Sequence, residues 1–189
     1  METLVSVALG IGLSAAVGFR VFVPFLVMSI ASLAGFLPLS QGFEWIGTVP
    51  ALLVFGTATV LEVLAYAIPW FDNLMDSIAT PAAIIAGVIA TASVITDLPP
   101  LLRWVVALIG GGGAAGLIQG TSTLLRLKST ALTAGLGNPV LAAAELLGSL
   151  GTSVLAIAVP LVCLAVLIVL VFVAFRSAGR LLFGRRGAS

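Results

Sequence analysis

Residues 18–24 read GFRVFVP, and they lie inside a run from Thr3 to Leu39 in which Arg20 is the only charged residue. The apolar part of that run, Thr3 to Phe36, covers 34 residues. As one helix at ~1.5 Å per residue it would be about 50 Å long. The hydrocarbon core of a bilayer is only about 30 Å thick, so the segment must tilt steeply, break or fold back. Pro24 removes the amide that would bond to the carbonyl of Arg20, which gives a break near residues 18–24 a mechanism. How this stretch is read decides whether the chain starts with one spanning helix or with a re-entrant hairpin.

The rest of the chain justifies treating lipid as the solvent. The 189 residues are 61% hydrophobic and 8% charged, with a mean hydropathy of +1.30. A soluble domain is about a quarter charged, so there is too little polar surface here to coat a water-soluble globule. Other apolar runs extend from Val49 to Leu61, Ile78 to Thr96, Trp104 to Gln119, and Pro139 to Phe175, the last broken only by Glu145. The expected class is an all-α integral membrane protein, because alternating strand patterns are absent and lipid tolerates only helices or closed barrels. Histidine is absent and Cys163 is the only cysteine. Ser-His-Asp and Cys-His nucleophiles, internal disulfides and a Cys/His zinc site are thereby excluded. The N-terminus carries Glu2 and no basic residue, so it lacks the n-region of a cleaved signal and reads as mature sequence. The net charge of +1 gives no reason to expect a nucleic-acid partner; the expected partner is the bilayer.

Six spans are expected: Thr3–Gly18 with a continuation to Phe36, Pro50–Ile68, Ser77–Val94, Leu101–Gly120, Pro139–Ala158 and Pro160–Phe175. Arg126 and Lys128 fall between the fourth and fifth, and four arginines follow the sixth. By the positive-inside rule that side is cytoplasmic, Arg103 alone lies outside, and an even number of crossings puts both termini in the cytoplasm of a cell whose inner (plasma) membrane holds the protein.

The chain also repeats itself at an offset of 100. SIASLAG (29–35) lies on STALTAG (129–135), and Gly10, Gly12 and Ala15 lie on Gly110, Gly112 and Ala115. Pro50 and Pro69 bracket one segment; Pro139 and Pro160 bracket its counterpart. The expectation is one transmembrane domain over 1–189, with a first unit at about 3–96, a second at about 101–176 and a basic tail at 177–189. Units of three spans have opposite topology, and inverted repeats of this kind place functional sites near the midplane where they meet. The second unit is expected to break at 119–123, QGTST, opposite GFRVFVP.

Several residues are candidates for chemistry. Glu62 and Glu145 are ionisable groups inside spans, at similar depth on the assigned topology, and such groups default to a functional hypothesis. They could form a cation or proton site with Arg20 as counter-charge, or a structural ion pair. Gln119, Thr121 and Ser122 could line an aqueous path or satisfy a broken backbone. Gly10, Ser14, Gly18 and Gly112, Gly116, Gly120 form small-residue stripes that allow close helix approach, either at an interface between the units or as plain packing. Asp72 and Asp76 in PWFDNLMDSIATPAA (69–83) share a helix face at i, i+4 and could hold Mg²⁺; alternatively Asp72 caps an interfacial turn and Thr80-Pro81 starts the third span.

The stretches PWFDNLMDSIATPAAIIAG, GGGGAAGLIQGTSTLLRLKST and GNPVLAAAELLGS together resemble a family of small bacterial membrane proteins, with plastid relatives, classed as a domain of unknown function. The resemblance covers roughly residues 5 to 175. It implies a polytopic inner-membrane protein and carries no activity, cofactor or site residue. The functional expectation therefore rests on the residues: a small transporter or channel-like permease for an ion or small polar solute. One alternative is a lipid-handling enzyme using Asp72 and Asp76 through Mg²⁺, and another is a non-catalytic scaffold. A unit this small could need a second copy to enclose a path, so a homodimer is the expected assembly.

Overall fold

Helix α1 (Glu2–Phe19) stops at Arg20 and α2 (Phe22–Leu33) starts two residues later. This is a computed structural model; it describes residues 2–66, 69–133 and 135–183, with the side chains of 66, 69–77, 174–175 and 177–183 left undescribed. After α2 and a loop come a 3₁₀ turn (Glu44–Gly47), α3 (Val49–Tyr66) and α4 (Pro69–Val94). Then α5 (Pro100–Val106) runs through one π-helical turn (Ala107–Gly112) into α6 (Gly113–Thr133), followed by α7 (Asn138–Ala158) and α8 (Pro160–Phe183). The described residues contain no strand. Among the described residues three helices are long and apolar enough to cross a membrane by length and composition: Glu2–Phe19, Pro100–Thr133 and Asn138–Ala158. Four shorter apolar helices accompany them: Phe22–Leu33, Val49–Ala65, Ile78–Val94 and Pro160–Val173.

The break at GFRVFVP is a reversal. Gly12 lies against Ala156 and the Ser149 hydroxyl donates to the Ala16 carbonyl at 2.9 Å, so α1 runs antiparallel to α7. α2 runs the other way, beside α7 and antiparallel to α3: Phe22 meets Glu62, Phe25 stacks on Phe55 at 5.3 Å, and Ser32 packs on Gly47. Of the three options for Thr3–Phe36, folding back is the one adopted. Pro24 sits in the first turn of α2, where its missing amide has no intrahelical role. Gly35, at φ +79, ends α2 in the left-handed conformation, and Phe36 N–H reaches back to the Ala31 carbonyl at 2.9 Å. Gly135, at φ +88, ends α6 in the same way. The matched glycines of SIASLAG and STALTAG are thus equivalent helix stops.

α1 is the axis of the bundle. It is surrounded by α4, α6, α7 and α8, and its buried residues are nearly all small: Ser6, Ala8, Gly10, Gly12, Ser14, Ala15, Ala16 and Gly18. A helix ringed by others fits only where small side chains let backbones approach. Against α4 the contact is reciprocal. The Ser14 hydroxyl donates to the Gly87 carbonyl at 2.6 Å, and the Thr91 hydroxyl donates to the Gly10 carbonyl at 3.0 Å. Each hydroxyl reaches the carbonyl four residues before the other, so GIGLS (10–14) and GVIAT (87–91) clasp one another. The two hydroxyls themselves lie 2.6 Å apart. Interhelical bonds of this kind contribute about 0.6–2 kcal/mol each in a bilayer. Ser14→Ala is expected to lower stability by that amount, read as unfolding free energy in mixed micelles; no change would mean the clasp is idle.

The π turn brings Gly111 against the same clasp on α4, over Thr91, with a Cβ on Gly111 falling 2.7 Å from the Gly87 carbonyl oxygen. Gly112 and Gly116 face Val88 and Ile84 of α4. Gly112 and Gly116 of the second unit thus pack across onto α4 of the first, as Gly10 and Ser14 do within it, and Gly18 meets α6 at the Ala115 carbonyl and Ile118. A Cβ on Gly120 would meet no described atom within 4 Å, so its expected packing role is not realised there.

Three further expectations are corrected. The second break is not at QGTST: α6 is continuous over Gly113–Thr133, and the irregularity lies earlier, in the glycine-rich π turn. The Thr121 hydroxyl folds back onto the Leu117 carbonyl at 2.8 Å, which lets a polar residue remain in a helix. α4 starts at Pro69 and carries Pro81 inside it, so Thr80-Pro81 starts nothing. Finally, Glu2 lies beside Phe36–Pro38, Asp97 and Pro160 around one cleft. That is where α8 begins, and α8 runs parallel to α1, with Cys163 against Gly12 and Leu167 beside Ala15. Glu2 and Arg176 therefore fall at opposite ends of the bundle. The expectation of both termini on one side takes Thr3–Phe36 as one span, whereas the chain reverses within it.

Candidate functional site

The hairpin tip carries the charge. Its two leading amides, Val21 N–H and Phe22 N–H, are orphan donors at the start of α2, and in lipid they must find acceptors. Both donate to the Glu62 carboxylate of α3, to Oε1 at 2.8 Å and Oε2 at 3.1 Å. A carboxylate placed there also suits the positive end of the α2 dipole. Glu62 thus caps a helix 40 residues away in sequence.

Arg20 points to the other side of the tip. Its Nη2 donates to the Ala142 carbonyl at 3.1 Å and lies 3.6 Å from Glu145 Oε2. Arg126 of α6 grips the same carboxylate with two donors, Nε to Oε1 at 3.0 Å and Nη2 to Oε2. This fork-on-carboxylate geometry is the strong form of an ion pair. Arg20, Arg126 and Glu145 are 2%, 4% and 7% exposed, so the cluster is sealed among packed helices. Arg126 precedes Thr133 by seven residues and Glu145 follows Asn138 by seven, which sets the cluster about 10 Å inside the ends of α6 and α7.

Arg20, Glu62 and Glu145, expected together from the sequence, are brought to one level around the tip, and Glu62 lies within electrostatic reach of the other two. They do not share one cavity. Only Glu62 opens outward, onto a groove of about 450 Å³ between α3 and α4 lined by Val21, Phe22, Ala58, Leu61, Ile78 and Ala82. Gln119 and Ser122 are buried in α6 and Thr121 is exposed. The backbone of Asp72 and Asp76 lies in α4, but the paired metal-binding reading depends on side chains outside the described residues. Among the described residues no group of three or more His, Cys, Asp or Glu could hold a metal.

Two residues central to this arrangement went unrecognised. Arg126 was read only as a topology marker, yet it and Glu145 are equidistant from a turn at 135–136, so a helical hairpin there had to bring them together. Thr91 lay in GVIAT, whose spacing mirrors GIGLS.

A family model described as a domain of unknown function, DUF4126, matches residues 7–180. No curated protein and no solved structure matches the chain.

Proposed function

The chain belongs to the DUF4126 family, and we propose that it works as a small multi-pass permease for an ion or small polar solute, with the hairpin tip as its site. One observation carries this reading: a re-entrant break inside an apolar bundle, holding two buried arginines and two carboxylates. Ionisable groups at such depth are expensive and mark solute or ion paths, and discontinuous helices are the usual way to build one. Glu62 is the carboxylate that meets a path, since it alone borders a groove. The sealed Arg20–Glu145–Arg126 cluster fixes the tip against α6 and α7.

The chain directions support the inverted arrangement in a revised form. α2, α3 and α4 run opposite to α6, α7 and α8 in turn, so these are the two units, and α1 stands outside them as the axis. The first part of α1 and the Leu101–Gly120 stretch, matched at the offset of 100, run the same way and are not an inverted pair. Arg126, Lys128 and Arg176 gather at the tip end, which the positive-inside rule makes cytoplasmic. Glu2, Glu44 and Asp97 then face the other side of the cell's inner membrane.

Reconstitution into liposomes with a panel of ions and small metabolites tests the proposal. Flux above empty liposomes is expected, falling at least about ten-fold in Glu62→Gln, a loss typical of a removed proton-transfer group. Gln keeps an acceptor for one tip amide and leaves the other unpaired, so the variant should lose about 1–3 kcal/mol and still unfold cooperatively. Absence of flux across the panel, or full flux in Glu62→Gln, would overturn the reading.

A further inference from the structure

A cleft between α6 and α8 lies away from the charged tip. It measures about 600 Å³ and is entirely apolar, lined on α6 by Gly113, Ala114 and Leu117, on α8 by Leu164, Ile168 and Phe172, and floored by Ile11 and Ala15 of α1. It exists because α8 packs on α1 and α7 and stands off from α6, which leaves Ile11 of the central helix partly exposed. The α6 wall carries the small residues Gly113 and Ala114, and a Cβ on Gly113 would meet no described atom within 4 Å. Along α8 the cleft runs from Leu164 to Phe172 and along α6 from the π turn to Ile118, which is roughly 12–14 Å at 1.5 Å per residue. That is close to the ~15 Å depth of a single leaflet, half of a 30 Å hydrocarbon core.

Beyond the cleft, toward the tip end, both helices carry basic residues. Lys128 is exposed on α6 and Arg176 on α8. Eleven residues after Leu117, Lys128 lies within about 20° of the same helix face and roughly 16 Å further along it. Arg176 follows Phe172 by one turn. Neither residue belongs to the sealed cluster, and both stems are long enough to carry their charge toward the headgroup layer. Among the described residues no acidic side chain lies at this end on α6 or α8.

We propose that this cleft is a binding site for an anionic phospholipid of the tip-side leaflet, one acyl chain lying on α1 between α6 and α8 and the phosphate held by Lys128 and Arg176. An apolar slot of about leaflet depth, with basic residues further along the same two helices, fits that ligand. Bound there, the lipid would cover the axis helix and tie α8 to α6. The proposal stands apart from the permease reading: it needs neither Glu62 nor any flux.

Native mass spectrometry of the full chain, delipidated in detergent and titrated with phosphatidylglycerol or phosphatidylcholine, tests it. Wild type should retain one phosphatidylglycerol in clear preference to phosphatidylcholine. Replacing both Lys128 and Arg176 with glutamine should cut phosphatidylglycerol retention toward the phosphatidylcholine level, by about five-fold for each residue. Gly113→Phe, directed into open space, should cut retention of either lipid while leaving the unfolding transition near wild type. Equal retention of both lipids by wild type would overturn the headgroup assignment. Unchanged retention in Gly113→Phe would overturn the cleft as the site. Should Gly113→Phe fail to fold, the glutamine pair decides the question alone, since both positions are exposed.

Discussion

Glu145→Ala is expected to lose about 3–5 kcal/mol of unfolding free energy, the range found when one partner of a buried ion pair is removed. The carboxylate serves two arginines at once: Arg126 through both of its oxygens and Arg20 at 3.6 Å. Without it, two guanidiniums converge on one point among packed helices. Arginine cannot relieve this by losing its proton, so the repulsion and the desolvation both remain. Glu145→Gln should fall between wild type and alanine, because the amide keeps an acceptor but drops the charge. Adding Arg126→Met to Glu145→Leu should recover part of the loss, as replacement of whole ion pairs by apolar groups often does. The measurement is unfolding in mixed micelles followed by the fluorescence of Trp45 and Trp104. A loss under about 1 kcal/mol in Glu145→Ala, the scale of an exposed pair, would mean that water reaches the cluster.

Gly87→Ala should cost about 1–3 kcal/mol through overpacking, although alanine is the better helix former by about 1 kcal/mol. The added Cβ would lie 2.6 Å from the Ala115 Cβ and 2.9 Å from the Gly111 carbonyl oxygen. Both obstacles belong to rigid parts of α6 and its π turn, so neither can rotate away. The displacement would also pull the Gly87 carbonyl from the Ser14 hydroxyl, adding the loss of one interhelical bond. Gly113→Ala is the matched control. Its Cβ points into open space, so the same change should be neutral or stabilising there. Opposite signs at two glycines of one bundle would separate packing from helix propensity; equal effects at both would contradict the α4–α6 contact described above.

Much of this site could be read from composition and spacing. Glu62 and Glu145 stood out as ionisable residues in apolar runs, and Arg20 with Pro24 marked the first break. The proline and glycine positions gave most helix ends, because a missing amide and a left-handed φ are local properties. Other features were not local. QGTST looked too polar for a continuous spanning helix, but Gln119 and Ser122 are buried by neighbouring helices and Thr121 bonds within its own helix. Polarity alone could not foresee either compensation. The glycines at 110–113 looked like part of a packing stripe; one of them, Gly111, makes the closest approach because a π turn shifts the register there.

The amino-acid order by itself determined that the chain forms apolar helices suited to a membrane, and where the first helix must stop. These follow from desolvation of the backbone and from the chemistry of single residues. The tertiary structure decided what the stop becomes. After Arg20 the chain could have continued at an angle or reversed, since Pro24 frees a carbonyl in either case. It reverses because the two exposed amides at the tip find Glu62 and the Arg20 side chain finds Glu145 and the Ala142 carbonyl. Those acceptors stand on α3 and α7, 40 to 125 residues further along the chain. The direction of a broken helix in a bilayer is set by whichever distant groups satisfy the polar atoms the break exposes.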